Sequence, residues 1–198
     1  MSDPGPFRGI FGPGYNLVPQ VDLHRLWDFS AVQLGVGMSG GYYVKRGHTY
    51  KADSSATDPG RPRADATNQF KMVPLSLTGL LRLTALDERW GIPVVPYVRG
   101  GLAYNVWWVS TATGKLAVTC DTCEDKALGA SAGLVGAVGL SLRAERIDPA
   151  GSASMRTGGV EHAGFYAELE KSWVDGFGNA KRLSLGDTTW YAGVDFEF

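Results

Sequence analysis

Residues 188–198 read TTWYAGVDFEF, and the way they alternate decides the fold. Trp190, Ala192, Val194, Phe196 and Phe198 fall on one side of an extended chain, and Thr189, Tyr191, Gly193, Asp195 and Glu197 on the other. A period of two marks a β-strand with one apolar face. The stretch EHAGFYAELEKSW at 161–173 repeats it, with Ala163, Phe165, Ala167, Leu169 and Trp173 opposite His162, Gly164, Tyr166, Glu168 and Glu170.

Working back along the chain, the same alternation recurs over 127–143, 94–109, 70–85 and 30–44, and more weakly over 15–27. In 127–143, Leu134, Val138, Leu140 and Leu142 oppose Ser131, Gly133, Gly139, Ser141 and Arg143. In 94–109, Val98, Leu102, Tyr104 and Trp108 oppose Tyr97, Arg99, Gly101, Asn105 and Trp107. In 15–27, Val21, Leu23 and Trp27 oppose Gln20, Asp22 and His24. Seven strands result. Many are longer than the ~5–6 residues usual in soluble sheets and reach the ~9–11 that a tilted membrane-crossing strand requires. The 27 glycines among 198 residues are about twice the ~7% of average usage, and 13 of them lie inside these strands.

Composition narrows the function classes. A chain of 198 residues is expected to form a single domain spanning 1–198. Lys and Arg number 19 against 20 Asp and Glu, for a net charge of −1, which leaves no basic field to grip a nucleic-acid backbone. A hydrophobic content of 44% excludes a disordered chain. No apolar run approaches the ~18 residues of a membrane-spanning helix.

A soluble barrel would turn its apolar face inward and show Lys and Glu outside, but the second face here mixes Gly, Ser and isolated charges. The expected geometry is therefore inside out. It is an all-β, antiparallel up-and-down transmembrane β-barrel of about eight strands, seven of them clear in this chain. Apolar residues face lipid, and small residues let a narrow lumen close around Arg82, Arg99, Arg143, Glu168, Glu170 and Asp195 as paired charges. Trp27, Tyr42, Tyr43, Trp107, Trp108, Trp173 and Trp190 suit two interfacial girdles. The interior of a barrel this small is just filled by its own side chains, so an ion-pair core is expected rather than a channel.

These residues resemble the small outer-membrane β-barrels of Gram-negative bacteria, the OmpA-like and opacity-protein-like class. The likeness covers most of the chain as a pattern. Its specific part is the C-terminal signal read by the barrel-assembly machinery, matched by Tyr191, Gly193, Phe196 and the terminal Phe198. The segments VPYVRGGLAYNVWW and GFYAELEKSWVDGFG further look like a subfamily of such barrels from which no activity carries over. The resemblance implies a bacterial outer-membrane location, with membrane lipid and the assembly machinery as partners. It also implies periplasmic termini and turns, with long loops outside. With Phe198 on the periplasmic side, 174–187, 110–126 and 45–69 become outer loops, and the segments near 27–29 and 86–93 become short turns. The connection at 144–159 is long for its side and has room for a short helix ending before Gly158. Closure with both ends on one side needs an even strand number, so an eighth strand is expected before residue 5. The start MSDPGPFRGIFGPG shows neither that strand nor a secretory signal. Either the chain given begins short of its true start, or residues 7–11 (FRGIF) supply a short strand, or the count is off by one.

Few residues invite chemistry. Cys120 and Cys123 form a CDTC motif in an outer loop. A zinc site would need two further ligands, and the three histidines are scattered. A redox role would need a βαβ context, so a local disulfide in an oxidising compartment is the expectation. His162 shares the inward face with Glu168 and Glu170. However, lipid-deacylating barrels carry a serine two residues after the histidine, where this chain has Gly164. No catalytic residue, metal or cofactor is therefore expected, and His24 and His48 have weaker support still. The reading is an envelope structural or surface-interaction protein whose outer loops carry any function, with its external ligand unspecified. The alternatives are a soluble lipocalin-like ligand-binding barrel, which would have an apolar interior, and a lipid-modifying outer-membrane hydrolase.

Overall fold

A computed structural model describes residues 17–50, 63–118, 126–179 and 183–198. Residues 7–11 and the Cys120–Cys123 pair lie outside the described residues. The elements in order are β1 (Gln20–Phe29), β2 (Val32–Gly41), β3 (Tyr43–Tyr50), β4 (Arg63–Arg82), α1 (Ala85–Trp90), β5 (Val94–Ser110), β6 (Leu128–Arg143), a 3₁₀ turn (Ala144–Arg146), α2 (Pro149–Thr157), β7 (His162–Trp173) and β8 (Thr188–Glu197). The chain is all-β. Its strands form one antiparallel sheet in the order β1-β2-β4-β5-β6-β7-β8, with β3 also paired to β4. Each of the seven alternating segments is represented in this meander.

Three boundaries differ from the sequence reading. The expected outer loop at 45–69 is much shorter, because β3 continues to Tyr50 and β4 begins at Arg63, with Arg46 opposite Gln69 and His48 opposite Thr67. Backbone pairing carries that hairpin past the point where the side chains stop alternating. The strand expected at 15–27 runs from Gln20 to Phe29 and turns through Ser30, whose φ is +48°. The short turn near 86–93 contains α1, closed by Gly91 in the left-handed region at φ +68°. At 144–159 the expected short helix is present as α2, with Pro149 in its first turn. The Asp148 side chain accepts from the Gly151 N–H at 3.0 Å, and Gly158 is the C-cap.

Packing divides the chain into two compact units, each assembled from three separated segments. The first is Met1–Val21, Gly40–Leu75 and Asn105–Ala130. In it Phe70, 3% exposed, is flanked by Tyr43 and Trp107 at ring-centroid distances of 6.2 Å each. Tyr43 and Trp107, expected in a girdle, are thus tied to a buried ring. Tyr42 and Trp108 pair at 6.5 Å.

The second unit is Asp22–Ser39, Ser76–Tyr104 and Ser131–Phe198. Along its strands burial alternates in inverted sense. Leu134, Val138, Leu140 and Leu142 of β6 are exposed, while Ser131, Ser141 and Arg143 are buried. Its glycines are spaces for neighbouring rings. A Cβ on Gly139 would lie 2.4 Å from the Tyr97 ring, one on Gly193 2.8 Å from Tyr166, and one on Gly37 2.3 Å from His24. Trp107 occupies the equivalent space at Gly129 in the first unit, at 2.8 Å. These four strand glycines therefore make room for side-chain volume on the adjacent strand, whereas Gly91, Gly114, Gly159, Gly176 and Gly178 hold positive-φ turns. Beyond β7 the chain folds back against the polar face of the sheet. Val174 is 1% exposed, and Leu185 packs on Ala103, Val135 and Val174. The Leu185 N–H donates to the Val174 carbonyl at 2.7 Å, and the Ser131 hydroxyl to the Leu183 carbonyl at 2.8 Å.

Candidate functional site

Alternation aims Arg99 of β5 and Glu168 of β7 to the same side of the sheet, and within the second unit they meet. Arg99 donates to Glu168 through Nε at 3.1 Å and Nη2 at 2.5 Å, to Glu170 at 2.7 Å and to Asp22 at 3.2 Å. The Tyr97 hydroxyl donates to Glu168 at 3.0 Å. The Arg99 and Glu168 side chains are each 3% exposed. One guanidinium therefore faces three carboxylates contributed by β1 and β7. Strands so far apart in the sheet order reach a single side chain only because the sheet curls in this unit.

A second cluster lies on the same face. Arg82 of β4 donates to Asp195 at 3.1 Å and to Glu197, both on β8, and the Ser141 hydroxyl donates to Asp195 at 3.0 Å. Arg143 pairs with Glu197 at 3.4 Å and Glu145 at 3.7 Å. The expected set of Arg82, Arg99, Arg143, Glu168, Glu170 and Asp195 is thus buried or nearly so. Arg99 joins the two glutamates and Arg82 joins Asp195. Arg143, however, finds its partners outside that set. The sequence reading missed Asp22, Glu145 and Glu197 as acceptors. Asp22 and Glu197 did share a polar face with His24 and Asp195, whereas Glu145 lies in the 3₁₀ turn, where no strand period exists to place it.

His162 Nδ1 is hydrogen-bonded to Glu145 Oε1 at the end of β7, with His162 opposite Glu197 in the register. Burial works against the Glu145 charge. Its own backbone N–H and the neighbouring His162 and Arg143 nevertheless hold its carboxyl below the ordinary value of 4.5. Gly164 sits opposite Asp195, and the nearest inward hydroxyl on β6, Ser141, is committed to that aspartate. Among the described residues, the hydrogen-bond partner of His162 is the Glu145 carboxylate. Arg146 links the 3₁₀ turn to α1 through Asp87 at 2.8 Å. Of the C-terminal signal residues, Tyr191 and Gly193 lie on the polar face, while Phe196 and Phe198 are exposed. No cluster of potential metal ligands occurs among the described residues.

No family model, curated protein or solved structure matches this chain.

Proposed function

We propose that this chain is a membrane-spanning β-barrel of a bacterial outer membrane. It serves envelope structure or surface interaction through its outer loops, and its interior is held shut by ion pairs rather than used for catalysis or conduction. The observation that carries the reading is the inversion of polarity in the second unit. Arg99, Arg143 and Glu168 are buried, while Leu142, Phe165 and Val194 form an exposed row across three paired strands. In the next row, exposed Val138 and Trp190 flank a half-buried Leu169. Soluble monomers rarely show a contiguous apolar patch beyond a few hundred Å². A ligand-binding soluble barrel would place these side chains inside.

The height of the band fits as well. From Trp190 on β8 to Phe198 just past its end, the apolar positions span eight residue steps, or ~27 Å of extended chain. A tilt of ~40° reduces this to ~20 Å, close to the ~25 Å apolar band of outer-membrane barrels.

Heat-modifiable gel migration of the full chain in bacterial membranes, with detergent-free extraction alongside, tests the reading. Membrane retention together with a shift on boiling is expected. A soluble, unshifted band refutes it.

A further inference from the structure

In the first unit, β3 and β4 keep one register from Tyr43 opposite Met72 to His48 opposite Thr67. Residues directly opposite each other point to the same side of a sheet. One side therefore takes Lys45 and Phe70, and the other takes Val44, Lys71, Arg46 and Gln69. Phe70 is buried between Tyr43 and Trp107, which marks its side as the inner one. Arg46 and Lys71 point outward. Alternation places Tyr42 and Trp108, paired at 6.5 Å, on that outward side as well. Further along β4 the same side carries Val73 and the exposed Leu75, against which Gly40 lies at 3.4 Å.

The outward face of this hairpin thus changes along its length from apolar at Leu75, through the Tyr42 and Trp108 rings, to cationic at Lys71 and Arg46. A bilayer changes in the same order, from hydrocarbon through interface to headgroup. Lys71 lies one outward position beyond the level of Tyr42, and Arg46 two, because Val44 is opposite Lys71. At a tilt of ~40° those steps raise them ~5 and ~10 Å along the membrane normal. The two heights bracket a headgroup layer ~5–8 Å deep, and both side chains are long enough to adjust to it.

Neither cation has an ion-pair or hydrogen-bond partner among the described residues. They are diagonal neighbours, ~7–8 Å apart at the backbone, so their like charges repel and an anion between them relieves the repulsion. A phosphate monoester suits the space. It carries up to two negative charges and three acceptor oxygens, enough for the guanidinium fork and the ammonium together. Gln69, opposite Arg46 on the same side, adds an amide donor.

We infer that the outward face of this hairpin docks a membrane lipid whose headgroup bears a phosphate monoester. The phosphate sits between Arg46 and Lys71, and the acyl chains run back past the Tyr42 and Trp108 rings toward Leu75. This rests on the membrane reading above.

The test is native mass spectrometry of the full chain released by detergent from phosphatidylcholine vesicles containing a minor fraction of phosphatidic acid. Heat-modifiable migration of the same samples reports insertion. Phosphatidylglycerol, whose phosphate is a diester, serves as the comparison at equal surface charge. Phosphatidic acid is expected to stay bound several-fold above its share of the vesicle lipid and several-fold above phosphatidylglycerol. The double variant Arg46→Gln/Lys71→Gln should abolish the excess, and each single substitution should reduce it. Lys115→Gln/Lys126→Gln removes the same charge from exposed positions between β5 and β6 and should leave the excess intact. Equal retention of the two anionic lipids, an excess that survives Arg46→Gln/Lys71→Gln, or one lost equally in Lys115→Gln/Lys126→Gln overturns the lipid site and leaves the barrel standing. A chain that stays out of the vesicles and shows no shift on boiling overturns both.

Discussion

Replacing Arg99 by Met probes the ionic interior most directly. The substitution keeps most of the side-chain volume and removes the charge that Glu168, Glu170 and Asp22 share. Glu168, at 3% exposure, would be left with the Tyr97 hydroxyl alone. Glu170 and Asp22, at 15% and 21%, keep some access to water, so Glu168 dominates the cost. Deleting one partner of a buried pair costs ~3–5 kcal/mol, and about 4 kcal/mol is expected here. Glu168→Gln should behave differently. It leaves the guanidinium facing two carboxylates, relieves an excess of negative charge and retains an amide that can accept from Arg99, for a loss of about 1–2 kcal/mol. The assay is equilibrium urea unfolding of the full chain in detergent micelles, followed by tryptophan emission and gel migration, with the urea slope checked for constancy. In a double mutant, Glu168→Gln should recover part of the Arg99→Met loss, because the stranded charge is then gone. A loss below ~1 kcal/mol for Arg99→Met, or the reverse ordering of the two single variants, refutes the claim that these side chains form a paired core.

Two further perturbations check other parts of the interior. Gly139→Ala puts a methyl 2.4 Å from the Tyr97 ring and 2.8 Å from the Glu168 Cβ; a loss of ~1–3 kcal/mol is expected, largely recovered when Tyr97→Ala is combined with it, and additive losses would contradict the packing described. Glu145 has its folded-state pKa below 4.5, so its contribution to stability is complete above that pH and drains away as pH falls below it; Glu145→Gln should flatten the decline in unfolding midpoint on the acid side, and an unchanged pH profile would show that the His162 and Arg143 contacts do not act on it.

Much of the sheet was legible because one physical rule governs both faces of β5 to β8. Most alternate residues are apolar, with Gly100, Gly136 and Lys171 as interruptions, and the intervening ones are mainly small, aromatic or charged, so the phase of each strand survives. The same rule brought Arg99 to Glu168 and Glu170 without knowledge of the register. It failed where its premise fails. The β3–β4 hairpin continues through Lys45, Arg46, Asn68 and Gln69, residues that share no apolar face for a period of two to reveal. The partners of Arg143 were hidden for two reasons. Glu197 lay on the right face but was not credited, and Glu145 follows β6 in a turn whose direction no periodicity encodes. The inward packing of Leu185 was likewise invisible. A leucine beside Gly186 and Asp187 looks like loop, and only the cluster of Ala103, Val135 and Val174 gives it a destination.

The rings packed over glycines also bear on how the strands find their partners. Tyr97 over Gly139 and Trp107 over Gly129 belong to one β5–β6 register, ten residues apart on each strand. A slip of one residue would turn a whole strand's faces over. A slip of two preserves the faces and is the error that hydrophobic patterning cannot detect. Here it would bring Tyr97 against Ala137 or Ser141 and Trp107 against Ala127 or Ser131, where a Cβ fills the space each ring needs. The hairpin thus carries two keys cut to the same lock, and alignments that satisfy polarity alone are turned away as the strands assemble.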